Sequence, residues 1–240
     1  TTRRGCLGRC GMGVTGFSAL LKHAAVPTPL TQFAGKRLAV DGNVWLHRGT
    51  YSCALQLVSG EATSGHIRYC RKLAELLVSA NCRVLVVFDG RSLPAKGEEH
   101  GRRRVQRARA RREMEELDEQ VREMEAEEAA GGGGFSGELR GRVEEVRRRQ
   151  EEAARRAVRV SDEMVEEVMA DLSTLSGVEV MRAPYEADAQ LVHLARHSDV
   201  HAVVTEDSDL AAHALPRVLF KLDRVNGIAM LVERDQLIEQ

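Results

Sequence analysis

Apolar residues fall in two kinds of run along this 240-residue chain. Short, nearly unbroken apolar stretches recur at 37–40, 83–88, 178–181, 201–205 and 218–222. Their length and their content of Val, Leu and Ala suit strands buried on both faces. Between them apolar positions return every three or four residues, which predicts helices over 43–57, 66–80, 162–176, 185–197 and about 208–214. The helix from 162 carries its own boundaries. Ser161 can cap its first amides, Asp162 and Glu163 suit its positive end, and Gly177 can close it. Alternation of strand and helix predicts an α/β fold, a three-layer sandwich with a mainly parallel sheet between helices.

One segment departs from this pattern. Residues 98–160 hold 16 Arg and 16 acidic residues. Arg102, Arg103, Arg104, Arg107, Arg109, Arg111 and Arg112 follow one another with no acid between them, and an acid-dominated run occupies 113–128. Four glycines at 131–134 separate these from a second charged segment at 138–159. The pattern predicts a helical hairpin with a flexible tip, inserted between the second strand and the chain's return to the sheet. Its few apolar positions are too sparse for a core, so it is expected to project from the body. The expected organisation is an α/β core at 12–97 and 161–240, incomplete at its C-terminal end, and an arm at 98–160. Residues 1–11 are expected to be a disordered extension ahead of Met12.

Hydrophobic residues make up 43% of the chain but aromatics only 4%, so Leu, Val and Ala must fill the interior. Charged residues reach 30%, yet the formal net charge is −1. A phosphate-rich partner must therefore be met by a local basic patch. Cys53, Cys70 and Cys82 sit among apolar residues and read as small buried hydrophobes, while Cys6 and Cys10 make at most half a metal clip. This unpaired usage suits a reducing, intracellular setting. The opening TTRRGCLGRCG lacks the apolar stretch of a secretory signal, and no run of 18 apolar residues exists to span a membrane.

Six carboxylates follow apolar runs or open the next helix: Asp41, Asp89, Glu186, Asp188, Asp207 and Asp209. A lone Asp after a strand is more often a cap or turn residue. Several of them converging where strands end point instead to a divalent-metal pocket, because so many like charges repel without cations between them. Oxygen-only ligands suit Mg²⁺, with Mn²⁺ able to substitute, and a pair of such ions can drive phosphodiester cleavage. Two competing readings are weaker. Asp207-Ser-Asp209 continues with Leu210-Ala211 rather than the Gly-Thr of an aspartyl-phosphate phosphatase. His193, His197 and His201 have zinc-like spacing, but Ser198-Asp199 ends their helix, so they read as surface histidines.

The segments MGVTGFSALLK, AVDGNVWLHRGTYSCALQLVSGE, LVVFDGRSLPAKGEE, APYEADAQLVHLA and VVTEDSDLAAHA occur in that order. Together they resemble the structure-specific 5′ nucleases of the XPG/flap endonuclease superfamily, in particular its exonuclease 1 branch. The resemblance implies a PIN/5′-nuclease-like fold with an inserted charged helical arm. It also implies that the six acids hold two metal ions. Lys96 would match the gateway lysine that reaches the scissile phosphate, and Arg103, two helical turns on, the gateway arginine. His47 would stack on a nucleobase, and Gly13 and Gly16 would let DNA approach the N-terminal loop. The cluster including Arg102, Arg104 and Arg107 would contact displaced strand or backbone. The implied activity is Mg²⁺-dependent 5′→3′ hydrolysis of double-stranded DNA with 5′-flap cutting, in repair or recombination in the nucleus. The implied partner is DNA with a 5′ end, nick or flap, engaged by a monomer.

Four departures qualify that expectation. The superfamily's seventh acid and duplex-binding helices would fall beyond Gln240. Gly97 and Gly101 lie in the expected gateway helix, each costing about 1 kcal/mol relative to Ala, so that helix is expected to order on DNA. The arm is long, and Asn43 stands where a Tyr is usual. A DNA-binding piece too short to cut, and a flap- or RNA-directed nuclease of the same fold, remain as alternatives.

Overall fold

The computed structural model of the protein describes residues 23–91, 97–130, 137–207, 210, 213 and 215–238. Among them run seven strands: β1 (Val26–Pro29), β2 (Arg37–Asp41), β3 (Arg83–Phe88), β4 (Val178–Arg182), β5 (Val200–Val204), β6 (Arg217–Asp223) and β7 (Ile228–Glu233). They form one sheet in the order β1-β7-β6-β5-β2-β3-β4. The five strands from β6 to β4 in that order are parallel, and β7 and β1 add on antiparallel. The helices are α1 (Gly42–Thr50), α2 (Ala54–Ser59), α3 (Gly65–Ser79), α4 (Gly97–Ala130), α5 (Gly137–Ala157), α6 (Asp162–Leu172), α7 (Ala187–His197) and α8 (Arg234–Ile238).

Strand side chains alternate between faces, and in the central strands both faces are apolar and buried. Leu38, Val40, Val84, Val86 and Phe88 face one layer with Trp45 and Leu46 of α1, Leu73 and Leu77 of α3, and Val168 and Leu172 of α6. Ala39, Leu85, Val87 and Val203 face the other, where α7 contributes Ala187 and Leu191. The three-layer α/β expectation is met. Cys53, Cys70 and Cys82 are buried free thiols. No helix among the described residues is long and apolar enough to cross a membrane.

Two strands escaped the sequence reading. β1 is VPTP, and its two prolines suit only an edge strand, which is where it lies. β7 completes a hairpin whose turn signal was present in Asp223-x-x-Asn226-Gly227. The Asp223 carboxylate accepts the amides of Val225 (2.8 Å) and Asn226 (3.2 Å), and Gly227 adopts φ 63°. The helix expected over 43–57 is broken into α1, a 3₁₀ turn at Tyr51–Cys53, and α2. There Thr50 Oγ1 donates to the His47 carbonyl (2.7 Å) and Ser52 Oγ to that of Gly49 (3.2 Å), tightening the turn. At α6 the Ser161 cap holds, its hydroxyl accepting the Met164 amide at 3.4 Å. That helix ends at Leu172, short of residue 176. The helix expected at 208–214 lies largely outside the described residues.

The arm differs from expectation in one respect. α4 and α5 form long helices, but they do bury an apolar seam. Ala110, Met114, Leu117 and Val121 recur at four-three-four spacing, opposed by Val143, Ala153, Ala154 and Val158. Met114, Leu117, Ala153, Ala154 and Val158 join Ala54 of α2 in one cluster, which seats the base of the hairpin on the body. Arg156 pairs with Glu113 (2.9 Å) across the two helices, and Gln150 donates to Asp118 (2.8 Å). α4 is helical from Gly97 through Gly101. The glycine tip at 131–134 lies outside the described residues.

Candidate active site at the carboxyl ends of the strands

The chain crosses rightward from β2 to β3 to β4, then returns to the far side of β2 to lay down β5. That reversal opens a crevice at the carboxyl ends of β2 and β5, the usual ligand position in such sheets. Asp41 ends β2, Asp89 follows β3, Asp207 follows β5, and Glu186 and Asp188 open α7 after β4.

Asp41 is 3% exposed. One carboxylate oxygen accepts the Val44 amide at 3.0 Å and so caps α1, while the other accepts the Thr205 hydroxyl at 3.1 Å. The same Thr205 oxygen accepts the Asp207 amide at 3.0 Å. Thr205 therefore ties the first acid of the cluster to the loop that carries the last ones. Burial pushes the Asp41 carboxyl up to about 7, with the charges of Asp188 and Asp89 adding to the rise and the two hydrogen bonds opposing it. Carboxylates from three different strand ends thus act on one another.

Asp89 has a structural task as well. Its carboxylate accepts the Ala187 amide at 2.7 Å, capping α7 from another strand, while Glu186, at the N-cap position itself, makes no side-chain cap. The Ala183 amide donates to Phe88 (2.8 Å), Gly90 to Tyr185 (2.6 Å) and Arg91 to Pro184 (3.2 Å), extending the contact past the strands. This approach leaves no room for a side chain at residue 90, where a Cβ would lie 1.8 Å from the Ala183 carbonyl oxygen. A Cβ at Gly42, next to Asp41, would meet the Phe88 ring at 2.7 Å. Each of the first two acids therefore sits beside a glycine that lets its strand end pack closely.

Glu206 was passed over in the sequence. Its side chain is 15% exposed and pairs with Arg48 of α1 at 3.1 Å, while its second oxygen accepts the Lys221 amide at 2.8 Å. Burial raises its pKa, with Arg48 opposing. Thr205, Glu206 and Arg48 carry no family-independent signal in the sequence beyond lying beside acids or on an apolar helix.

On the arm side, Arg103 and Arg107 stand one turn apart on α4 and act on His47 at the end of α1. Burial lowers the His47 pKa first, and these two guanidinium charges lower it further. Arg107 is itself lowered by burial, then by Arg159 and Arg103. Arg103 and Arg107 therefore stand near the His47 ring, with Arg159 beside Arg107, and the ring also meets Tyr51 edge-on at 6.4 Å. Arg102 and Arg104 are exposed on α4, turned about 100° to either side of Arg103. Lys96, Asp209, Gly13 and Gly16 lie outside the described residues, as do Cys6 and Cys10. The rings of His193 and His197 lie 5.0 Å apart on α7, tilted by 42°, but His201 belongs to β5 and lies beside Phe33, so the three do not share a face.

Among the described residues no three His, Cys, Asp or Glu side chains close into a ready-made metal group. The chemistry of the donor set nevertheless fits a hard divalent cation. All the acids are oxygen donors, and the cost of ionising buried Asp41 beside Asp89 and Asp188 is one that a cation among them would remove.

The chain matches the XPG N-terminal domain over residues 12–110 and the XPG I-region over residues 177–238. It is 35% identical over 218 residues to exonuclease 1 of Danio rerio, covering 90% of this chain and 24% of that protein. It is 35% identical over 227 residues to exonuclease 1 of Drosophila melanogaster, covering 94% and 27% respectively. The chain thus spans about a quarter of the length of these relatives. The catalytic core of Rad2 in complex with DNA substrate superposes with a TM-score of 0.60 at 20% identity, over 95% of this chain and 56% of that one, a likeness of fold. With both signature regions present in order, the first running into α4 and the second following the arm, the chain belongs to the XPG/flap endonuclease superfamily of nucleases.

Proposed function

We propose that this chain hydrolyses DNA phosphodiesters from a 5′ end in duplex DNA, with 5′-flap cutting as a related activity, in DNA repair or recombination in the nucleus. The exonuclease 1 relatives support the reaction class. Asp41, Asp89, Glu186, Asp188, Asp207 and Asp209 would hold two Mg²⁺ ions, with Mn²⁺ able to replace them. Bound there, such ions supply an activated water and counter-charge for the leaving oxygen. The protein's own groups do the rest. Thr205 holds Asp41 and Asp207 in fixed relation through its one hydroxyl. Arg103, with Lys96, draws the phosphodiester toward the acids and offsets charge developing on it. His47, flanked by Arg103 and Arg107, offers a ring to an unpaired base, and Arg102, Arg104 and Arg107 offer charge to the backbone. Gly13, on the family resemblance alone, would let DNA approach closely.

The observation that carries this reading is the buried Asp41 at the end of β2, tied through the Thr205 hydroxyl to Asp207 and near enough to Asp188 and Asp89 to feel their charge. The test replaces Asp188 and Asp207 singly by Ala and follows cleavage of a 5′-recessed duplex, a 5′ flap and an RNA strand. Both variants are expected to lose Mg²⁺-dependent cleavage of DNA while binding the duplex as before. Cleavage persisting in both would overturn the assignment, and preferred cleavage of the RNA strand would move it to an RNA-directed nuclease.

A further inference from the structure

We propose that Glu206 is a positioning residue, the strut that orients the acid loop after β5, and takes no part in holding metal itself. The proposal rests on the reading of Asp207 as a metal-binding acid. Three consecutive residues divide the work. Thr205 is tied inward, its hydroxyl donating to Asp41, and the Asp207 amide donates to that same hydroxyl oxygen. Glu206 between them is committed outward, one oxygen to the Lys221 amide at 2.8 Å and the other to Arg48 at 3.1 Å. With both oxygens engaged away from Asp41, its carboxylate is anchored to β6 and α1 at once.

The β6 side shows how the anchor is built. Pairing between β5 and β6 runs through Val204 opposite Leu219, and the Thr205 amide still donates to the Leu219 carbonyl at 3.1 Å. There the ladder stops. Lys221 adopts φ 51°, a left-handed conformation uncommon for a residue with a side chain, and the β6–β7 register shifts between Phe220 and Asp223. This bulge presents the Lys221 amide to the Glu206 carboxylate in place of a strand carbonyl. β5 thus ends on a side-chain acceptor, and the chain is free to turn its next acid toward Asp41. Arg48 sits on α1, the helix that Asp41 caps, so the strut fixes the loop against the same element that carries the first acid. Trp45, the chain's one tryptophan, lines the small cavity of about 20 Å³ beside Arg48, Thr205 and Glu206.

The test titrates the full chain with Mn²⁺ without DNA, counting free ion by electron paramagnetic resonance, and records the melting temperature of each variant. Glu206→Ala is expected to weaken Mn²⁺ binding by about tenfold or more at a temperature well below its melting transition, as loss of a partner that orients a ligand does. Cleavage should fall in parallel, with duplex affinity in EDTA unchanged. Glu206→Gln can still accept the Lys221 amide and should recover most of the affinity, with Arg48→Ala falling between. Wild-type Mn²⁺ affinity in Glu206→Ala, or in both Glu206→Gln and Arg48→Ala should the first fail to fold, overturns the strut provided Asp207→Ala has lost binding. Wild-type affinity in Asp207→Ala instead overturns the metal reading beneath it.

Discussion

The carboxylate of Asp89 accepts the backbone amide of Ala187 at 2.7 Å, so an acid at the end of one strand caps the helix that follows another. This gives Asp89 two separable roles. Asp89→Asn can still accept the amide and should melt within a degree or two of wild type, yet lose Mg²⁺-dependent cleavage. Asp89→Ala should lose both, with about 1 kcal/mol less stability from the uncapped helix. Paired thermal melts and cleavage assays check this, and equal melting of the two variants would refute the cap.

Gly90 is where the strand end following β3 touches the segment entering α7. Adding a methyl group there forces it within 1.8 Å of the Ala183 carbonyl oxygen, which is backbone and cannot swing aside. Gly90→Ala should destabilise the fold by about 3 kcal/mol, at the upper end for overpacking. Urea denaturation measures it, and a loss under about 0.5 kcal/mol would show that the loop relaxes freely.

Two buried groups titrate with opposite sign. Burial lowers the pKa of His66 from its ordinary 6.5, and Glu167, 3.7 Å away and too distant to hydrogen-bond, only partly opposes that. The unfolded chain therefore takes up a proton that the folded one resists, and stability is lost as pH falls below about 6.5. Asp41 behaves inversely. Its carboxyl rises from 3.8 to about 7, so the folded state holds a proton that the unfolded one releases, and stability is lost progressively as pH rises from 3.8 to about 7, levelling off above that. The difference between each variant and wild type isolates each group. His66→Leu should gain on wild type as pH drops from 7 to 5.5. Asp41→Asn should gain as pH rises from 6 to 8 in EDTA. Denaturant midpoints across this range are the readout.

Metal removal extends the same argument. If a divalent cation relieves the cost of ionised Asp41, Mg²⁺ should raise the melting temperature of wild type at pH 8 and that of Asp41→Asn much less. Calorimetry with Mg²⁺ and with EDTA distinguishes the two. An identical shift in both proteins would place the ion elsewhere.

The hairpin's seam predicts local rather than global failure. Leu117 is 3% exposed between α4 and α5. Leu117→Ala should cost about 3 kcal/mol within the arm. Hydrogen exchange should then speed up in α4 and α5 while β2, β3 and β5 keep their protection. Equal loss of protection in those strands would show that arm and sheet unfold as one.

Sequence alone determined the layering and the location of the acids. Runs such as RVLVVF and HAVVT can be satisfied only as strands covered on both sides, and polar residues directly after such runs necessarily collect at one edge of a parallel sheet. It also revealed the Ser161 cap, which spans three residues. The links that set the site's geometry were not legible, because each joins residues far apart in the chain. Asp89 reaches Ala187 across 98 positions, Thr205 reaches Asp41 across 164, and Arg48 reaches Glu206 across 158. The arm's apolar seam was hidden for a related reason: alanines and single Val, Leu and Met residues among so many charges form a core only once a second helix lies against them. Periodicity reports what one element needs to bury. Which carboxylate caps a helix and which orients a loop depends on neighbours that only the folded sheet brings within reach.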